Sequence, residues 1–135
     1  MSTVLSADQT SPEFLRTALR VDGWGTGAFG VVLLAGAVAL RDPLGLPTAW
    51  SVPFGVAMLG GALALLLIAG YPEIPFAHAS AVVAVNTVSA VGMVVLALSG
   101  LIALTGLGIA FLLVGAGVVA GFAAVEYTGI RRAGY

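Results

Sequence analysis

The side chains able to do chemistry in this 135-residue chain are few: six acids, five arginines, one histidine and no cysteine. Without cysteine, disulfides, iron–sulfur clusters and thiolate catalysis are excluded. A lone imidazole, His78, cannot make a bis-histidine haem site, and neither an HExxH nor a Glu-x-x-His pattern is present. No metal and no cofactor are therefore expected. Asp22, His78 and Glu126 are different, because they lie in or at the mouths of long apolar runs. Ionisable groups in such places are costly, and they usually face the protein interior and mark function. Two carboxyl groups and an imidazole around one pocket would suit acid–base catalysis. A membrane carboxylate alone would suit proton coupling.

Helical spacing says which neighbours each of them keeps. At 100° per residue, Gly108, Leu112, Gly115, Val119, Phe122 and Glu126 form one stripe. Two glycines in that stripe favour packing against another helix, which points Glu126 inward. The alternative is an interfacial ion pair with Arg131 or an N-terminal arginine. Asp22 shares its side with Thr26, Leu33 and Gly36, either as a functional acid or as an anionic cap neutralised by arginine. His78 shares a polar seam with Val82, Asn86, Ser89 and Met93. Asn86 lies about 12 Å further along that helix, where an interhelical hydrogen bond is the usual fate of an amide. Thr26, Asn86 and Ser89 are thus the expected polar interior, and Asp22, His78 and Glu126 the candidate catalytic set.

The elements that must position these residues are helices in a bilayer. Charges leave free stretches at 23–40, 43–72 and 74–125, and a spanning helix needs about 20 apolar residues. The first stretch holds one span, the second a span and a loop, the third two spans joined by a turn. The reading is an all-α integral membrane bundle of four transmembrane helices, over about 23–40, 53–70, 76–98 and 106–127. A composition 60% hydrophobic and 8% charged, with a mean hydropathy of +1.13, agrees. Residues 11–135 form a single membrane domain, and 1–10 a disordered tail. Residues 1–11 lack the basic region of a cleaved signal.

Ser11, Pro12 and Glu13 make a good helix start, and Phe14, Leu15, Ala18 and Leu19 follow at helical spacing. This predicts a short N-terminal amphipathic helix over 12–21, either lying at the interface or continuous with the first span. Arg41, Asp42, Pro43, Gly45 and Pro47 predict the first loop. Pro53 opens the second span, and Trp50 sits at the interface. Residues 70–75 form the second loop. Ser99 and Gly100 begin the last turn, Thr105 caps the fourth helix, and Gly129 frays it.

The side holding the termini and second loop carries Arg16, Arg20, Arg131 and Arg132, against Arg41 opposite. The positive-inside rule then places both termini in the cytoplasm. Gly23 with Gly27, Gly117 with Gly121, and Ala57 with Gly61 have small-xxx-small spacing, which predicts close helix packing within the chain, with a homodimer seam as the alternative. The bilayer is the main partner. A homo-oligomer, a membrane-complex subunit and a lipophilic small molecule are the others considered; a net charge of −1 makes nucleic acid none.

The run from Phe14 to Asp22 (FLRTALRVD), Gly27 and Gly30, the Gly45-Leu46-Pro47 loop, Asn86, and the segment from Ala124 to Arg132 (AVEYTGIRR) resemble a family of small four-helix bacterial inner-membrane proteins of uncharacterised function. The arginine-only basic set and the Ala, Gly and Val richness suggest a bacterial source as well. The resemblance implies that Asp22, Asn86 and Glu126 are the positions to watch. Three functions compete: an accessory or structural membrane protein, which comes first; a membrane enzyme on a lipophilic substrate, with Asp22, His78 and Glu126 around a cytoplasm-facing pocket; and a small proton-coupled transporter.

Overall fold

The computed structural model describes the backbone of residues 2–135 and the side chains of residues 12–135. It is built from helices alone among the described residues: α1 (Ser2–Ala35), α2 (Ala37–Leu44), α3 (Thr48–Ala69), α4 (Phe76–Leu98) and α5 (Gly106–Ala133). The side chains of the expected tail, 1–10, and of the expected Ser11 cap lie outside the described residues. Helices α3, α4 and α5 are each long and apolar enough to cross a membrane. The pair Pro12–Ala35 and α2, bent by 85°, qualifies as a fourth when taken together. The helices are compatible with a membrane location.

Of the two forms expected for the amphipathic stretch 12–21, the continuous one is found: it runs on within α1, with Leu15, Ala18 and Leu19 buried and Glu13 and Arg20 exposed. The first apolar helix ends at Ala35 rather than 40, because the chain turns at Gly36. A Cβ there would lie 2.7 Å from the Val32 carbonyl oxygen, too close for any side chain. Arg41, Asp42 and Pro43, expected in a loop, belong to α2; Gly45 closes that helix in the left-handed conformation (φ 65°), which glycine adopts without strain. Helix α3 starts before Pro53, since Pro47 already has the extended geometry of a cap and its carbonyl receives the Trp50 and Ser51 N–H groups. Trp50 is consequently helical, and its ring packs tilted against that of Phe54. Helix α4 has the expected limits. Thr105 caps α5, accepting the Gly108 N–H at 3.0 Å. Gly129 does not fray; it is buried against Leu15, and α5 continues to Ala133.

Helix α1 is central, packed on both α3 and α5, and α4 packs mainly on α5. Glycine permits the close approaches. Gly23 faces Leu65 and Leu66, Gly27 faces Ala62, and Gly30 meets the Gly55 carbonyl. Gly61, Gly117 and Gly121, by contrast, have nothing within 4 Å, and Ala57 is exposed. Two of the three small-xxx-small pairs thus face outward rather than into the chain's own contacts.

The part of α1 around Leu15 and Arg16, the 70–75 loop and the last turns of α5 meet at one end. Arg16 binds them: its guanidinium donates to the carbonyls of Ala69 (2.5 Å), Tyr71 (2.6 Å) and Pro72 (3.2 Å). These are orphan acceptors at and beyond the end of α3, and a cation there also meets the negative end of the helix dipole. Arg16→Ala is expected to cost about 2 kcal/mol, given about 1.5–3 kcal/mol for a charged hydrogen bond and partial solvent screening. Denaturant unfolding in detergent checks it. At the other end Thr105 donates its hydroxyl to the Pro43 carbonyl at 2.7 Å, and its N–H to Leu44 at 3.1 Å.

Candidate functional site

Two apolar clusters fill the interior. One gathers Leu15, Leu19, Leu65, Ala69, Ile74, Ala79 and Ile130 near the Arg16 end. The other gathers Leu33, Leu44, Leu46 and Ile102 near α2. Between them on α1 lie Asp22 and Thr26, and these belong to a polar layer that three helices share.

Asn86 of α4 is its hub. Its Nδ2 donates to Asp22 Oδ2 at 3.0 Å and to Glu126 Oε1 at 2.7 Å. Thr26, one turn beyond Asp22 on α1, donates its hydroxyl to Asp22 Oδ1 at 2.8 Å. The Asp22 and Glu126 carboxyl groups accept from the same Asn86 nitrogen, which sets them side by side. Asp22 is 2% exposed and Glu126 is fully buried, whereas Asn86 and Thr26 are half-buried. The expected stripe delivers Glu126 inward, with Gly108, Leu112 and Glu126 all buried on the packed face of α5.

No arginine neutralises either acid among the described residues. The two ion pairs are local: Arg16 with Glu13 at 3.2 Å and Arg41 with Asp42 at 3.4 Å. Arg131 reaches the Tyr127 hydroxyl and ring, and Arg132 lies 4.7 Å over the Phe14 ring. The arginine partners considered for Glu126 and Asp22 are thus engaged elsewhere, because Arg131 and Arg132 sit more than a turn beyond Glu126 and point to the end of the bundle. Glu126 Oε2 is buried with no hydrogen-bond partner.

His78 stands apart. It is exposed at the start of α4, its ring 5.5 Å from that of Tyr71. The structure therefore joins Asp22 and Glu126 and leaves the imidazole outside. The physical reason is rise: two turns of α4 separate His78 from Asn86, which is the residue level with both acids. Ser89, expected in the polar interior, is exposed instead; three residues past Asn86 it has rotated off the buried face. Among the described residues there is no group of three or more His, Cys, Asp and Glu side chains that could hold a metal ion.

The surface of the described residues is grooved. One groove of about 360 Å³ runs between α4 and α5, lined by alanines with Thr87 and Tyr127. Another, of about 330 Å³, lies beside Arg16, Glu73 and Tyr135. Neither is lined by Asp22, Asn86 or Glu126. The arrangement packs two acids against one amide and one hydroxyl, a setting in which two carboxyl groups can share a proton.

No family model matches the chain, and neither the curated proteins nor the solved structures include a match to it. Sequence reasoning singled out Asp22, Asn86, Glu126 and Thr26 one helix at a time. It missed the carbonyl grip of Arg16 and the buried, unpartnered Ser51 hydroxyl. Arg16 carried a signal: it stands between Leu15 and Leu19, beside the apolar face of its helix.

Proposed function

We propose that this is a small four-span inner-membrane protein, bacterial and with both termini in the cytoplasm, that works as a proton-coupled carrier through the Asp22–Glu126 pair. In this reading Pro12–Ala35, α3, α4 and α5 cross the bilayer. The 85° turn then lays α2, with its charged Arg41 and Asp42, along the opposite interface. Four of five arginines flank the cytoplasmic side.

The observation that carries the reading is a pair of buried carboxyl groups held by one amide, with no basic side chain bonded to either. Like charges this close cannot both ionise freely, so such pairs share a proton. A lock made only for stability would use neutral amides and hydroxyls, which avoid the cost of intramembrane charge. An enzyme would need a cavity at the acids.

The test is a proton-binding titration of the purified protein in lipid nanodiscs. Wild type is expected to bind one exchangeable proton per chain that the Asp22→Asn, Glu126→Gln double variant lacks. Equal proton counts in the two proteins would sink the proposal. They would favour the second reading, an accessory membrane protein whose polar layer, tying α1, α4 and α5 together, serves only to fix helix register.

A further inference from the structure

The donors around the carboxyl pair are unevenly shared. Asp22 accepts two hydrogen bonds, one on each oxygen, from Thr26 and Asn86. Glu126 accepts one, from Asn86 on Oε1, and its Oε2 is buried without any donor. A buried carboxylate oxygen left without a donor is costly, while the hydroxyl of a carboxylic acid in that place needs only an acceptor. The neighbouring acceptor is Asp22, which shares the Asn86 nitrogen with Glu126.

We infer that the shared proton resides on Glu126 Oε2, donated to an ionised Asp22, and that Thr26 is the positioning residue that fixes this asymmetry. The inference rests on the proton-binding reading above. Asn86 gives one N–H to each acid, so it does not discriminate between them. Thr26 gives its hydroxyl to Asp22 alone, and a hydrogen bond to the charged form favours that form. Because Thr26 follows Asp22 by four residues on the same helix, the bias is built into α1 and needs no other element. When the proton leaves, the O–H bond of Glu126 breaks, its electron pair stays on the carboxylate, and the proton passes to a water molecule.

Among the described residues, no other charged or titratable group bonds to either acid. On α1, Arg16 is engaged with the loop carbonyls and Arg20 is exposed; α3 contributes none. On α4, His78 is exposed beside Tyr71. On α5, Tyr127 is exposed and Arg131 and Arg132 lie against aromatic rings.

Infrared spectroscopy of the full chain in lipid, labelled with carboxyl-¹³C glutamate or aspartate, reads the assignment directly. Near neutral pH the protonated-carboxyl C=O band is expected to shift with the glutamate label, to ignore the aspartate label, and to vanish in Glu126→Gln. In Thr26→Val part of the band is expected to follow the aspartate label, and Thr26→Ser to restore the wild-type pattern, which a purely structural role for the hydroxyl would not produce. A wild-type band that follows the aspartate label overturns the inference while leaving a shared proton in place. An unaltered band in Thr26→Val overturns the role of Thr26. Absence of any protonated-carboxyl band in wild type removes the proton-binding reading itself.

Discussion

Asn86→Leu is expected to lower the stability of the bundle by about 3 kcal/mol. The amide makes two hydrogen bonds to carboxyl groups, each worth about 1.5–3 kcal/mol when the acceptor is charged. Bonds between membrane helices measure less than that, roughly 0.6–2 kcal/mol, because the unfolded chain finds other partners in the bilayer. The two ranges meet near the figure given. Leucine fills similar volume, so the loss reports the polar layer rather than a cavity. In the Asp22→Asn, Glu126→Gln background the same substitution is expected to cost less than about 1 kcal/mol, since neutral amides leave far less to satisfy. Unfolding in mixed detergent micelles, followed by circular dichroism, measures both. An equal loss in the two backgrounds would mean that Asn86 acts through packing alone.

The consequence reaches beyond stability. Among the described residues, Asn86 makes the only side-chain hydrogen bonds from α4 to other helices; Ser80 and Thr87 bond within α4 itself. Helix α4 otherwise rests on α5 and touches α3 only weakly. Loss of the proton would set two carboxylates against each other at the point where α4 is fastened. The carrier reading therefore makes α4 the element that moves with the proton.

Helix periodicity made much of this legible. The stripe that carries Glu126 could be drawn from the sequence because every member repeats at helical spacing on one long, uninterrupted helix. The same holds for Asp22 with Thr26, four residues apart on α1. What spacing along one helix cannot supply is the axial offset between helices. Asp22, Asn86 and Glu126 meet because Gly129 sits on Leu15 and Gly115 on Met93, and these contacts set how far α5 slides along its neighbours. The same offset leaves His78 at the rim, although it belongs to the seam of Asn86. The turn at Gly36 was hidden for another reason. Charge placed the break at Arg41, but the helix breaks where a missing Cβ lets the backbone fold back on Val32. Composition does not separate that glycine from the other eighteen.

Gly108→Ala and Gly117→Ala are expected to move stability in opposite directions. Both glycines lie in α5, and both would pass for packing residues by spacing alone. A Cβ at Gly108 overlaps the Leu44 carbonyl oxygen and lies 2.9 Å from its carbon. Those atoms are backbone, and the Leu44 carbonyl already accepts the Thr105 N–H that docks α5 beneath α2. Relief is possible only by sliding the whole start of α5, so the cost is expected at the upper end of overpacking, about 3 kcal/mol. At Gly117 a Cβ meets nothing within 4 Å. Alanine there gains helix propensity, up to about 1 kcal/mol, without a clash. The comparison also reaches the site. Glu126 lies about 27 Å along α5 from Gly108 at 1.5 Å per residue, so a displaced helix start shifts the carboxyl pair without touching it. Gly108→Ala is therefore expected to alter the protonated-carboxyl band as well as the unfolding midpoint, and Gly117→Ala to leave that band unchanged. A stable Gly108→Ala protein with a wild-type band would show that α5 is not held in register from that end.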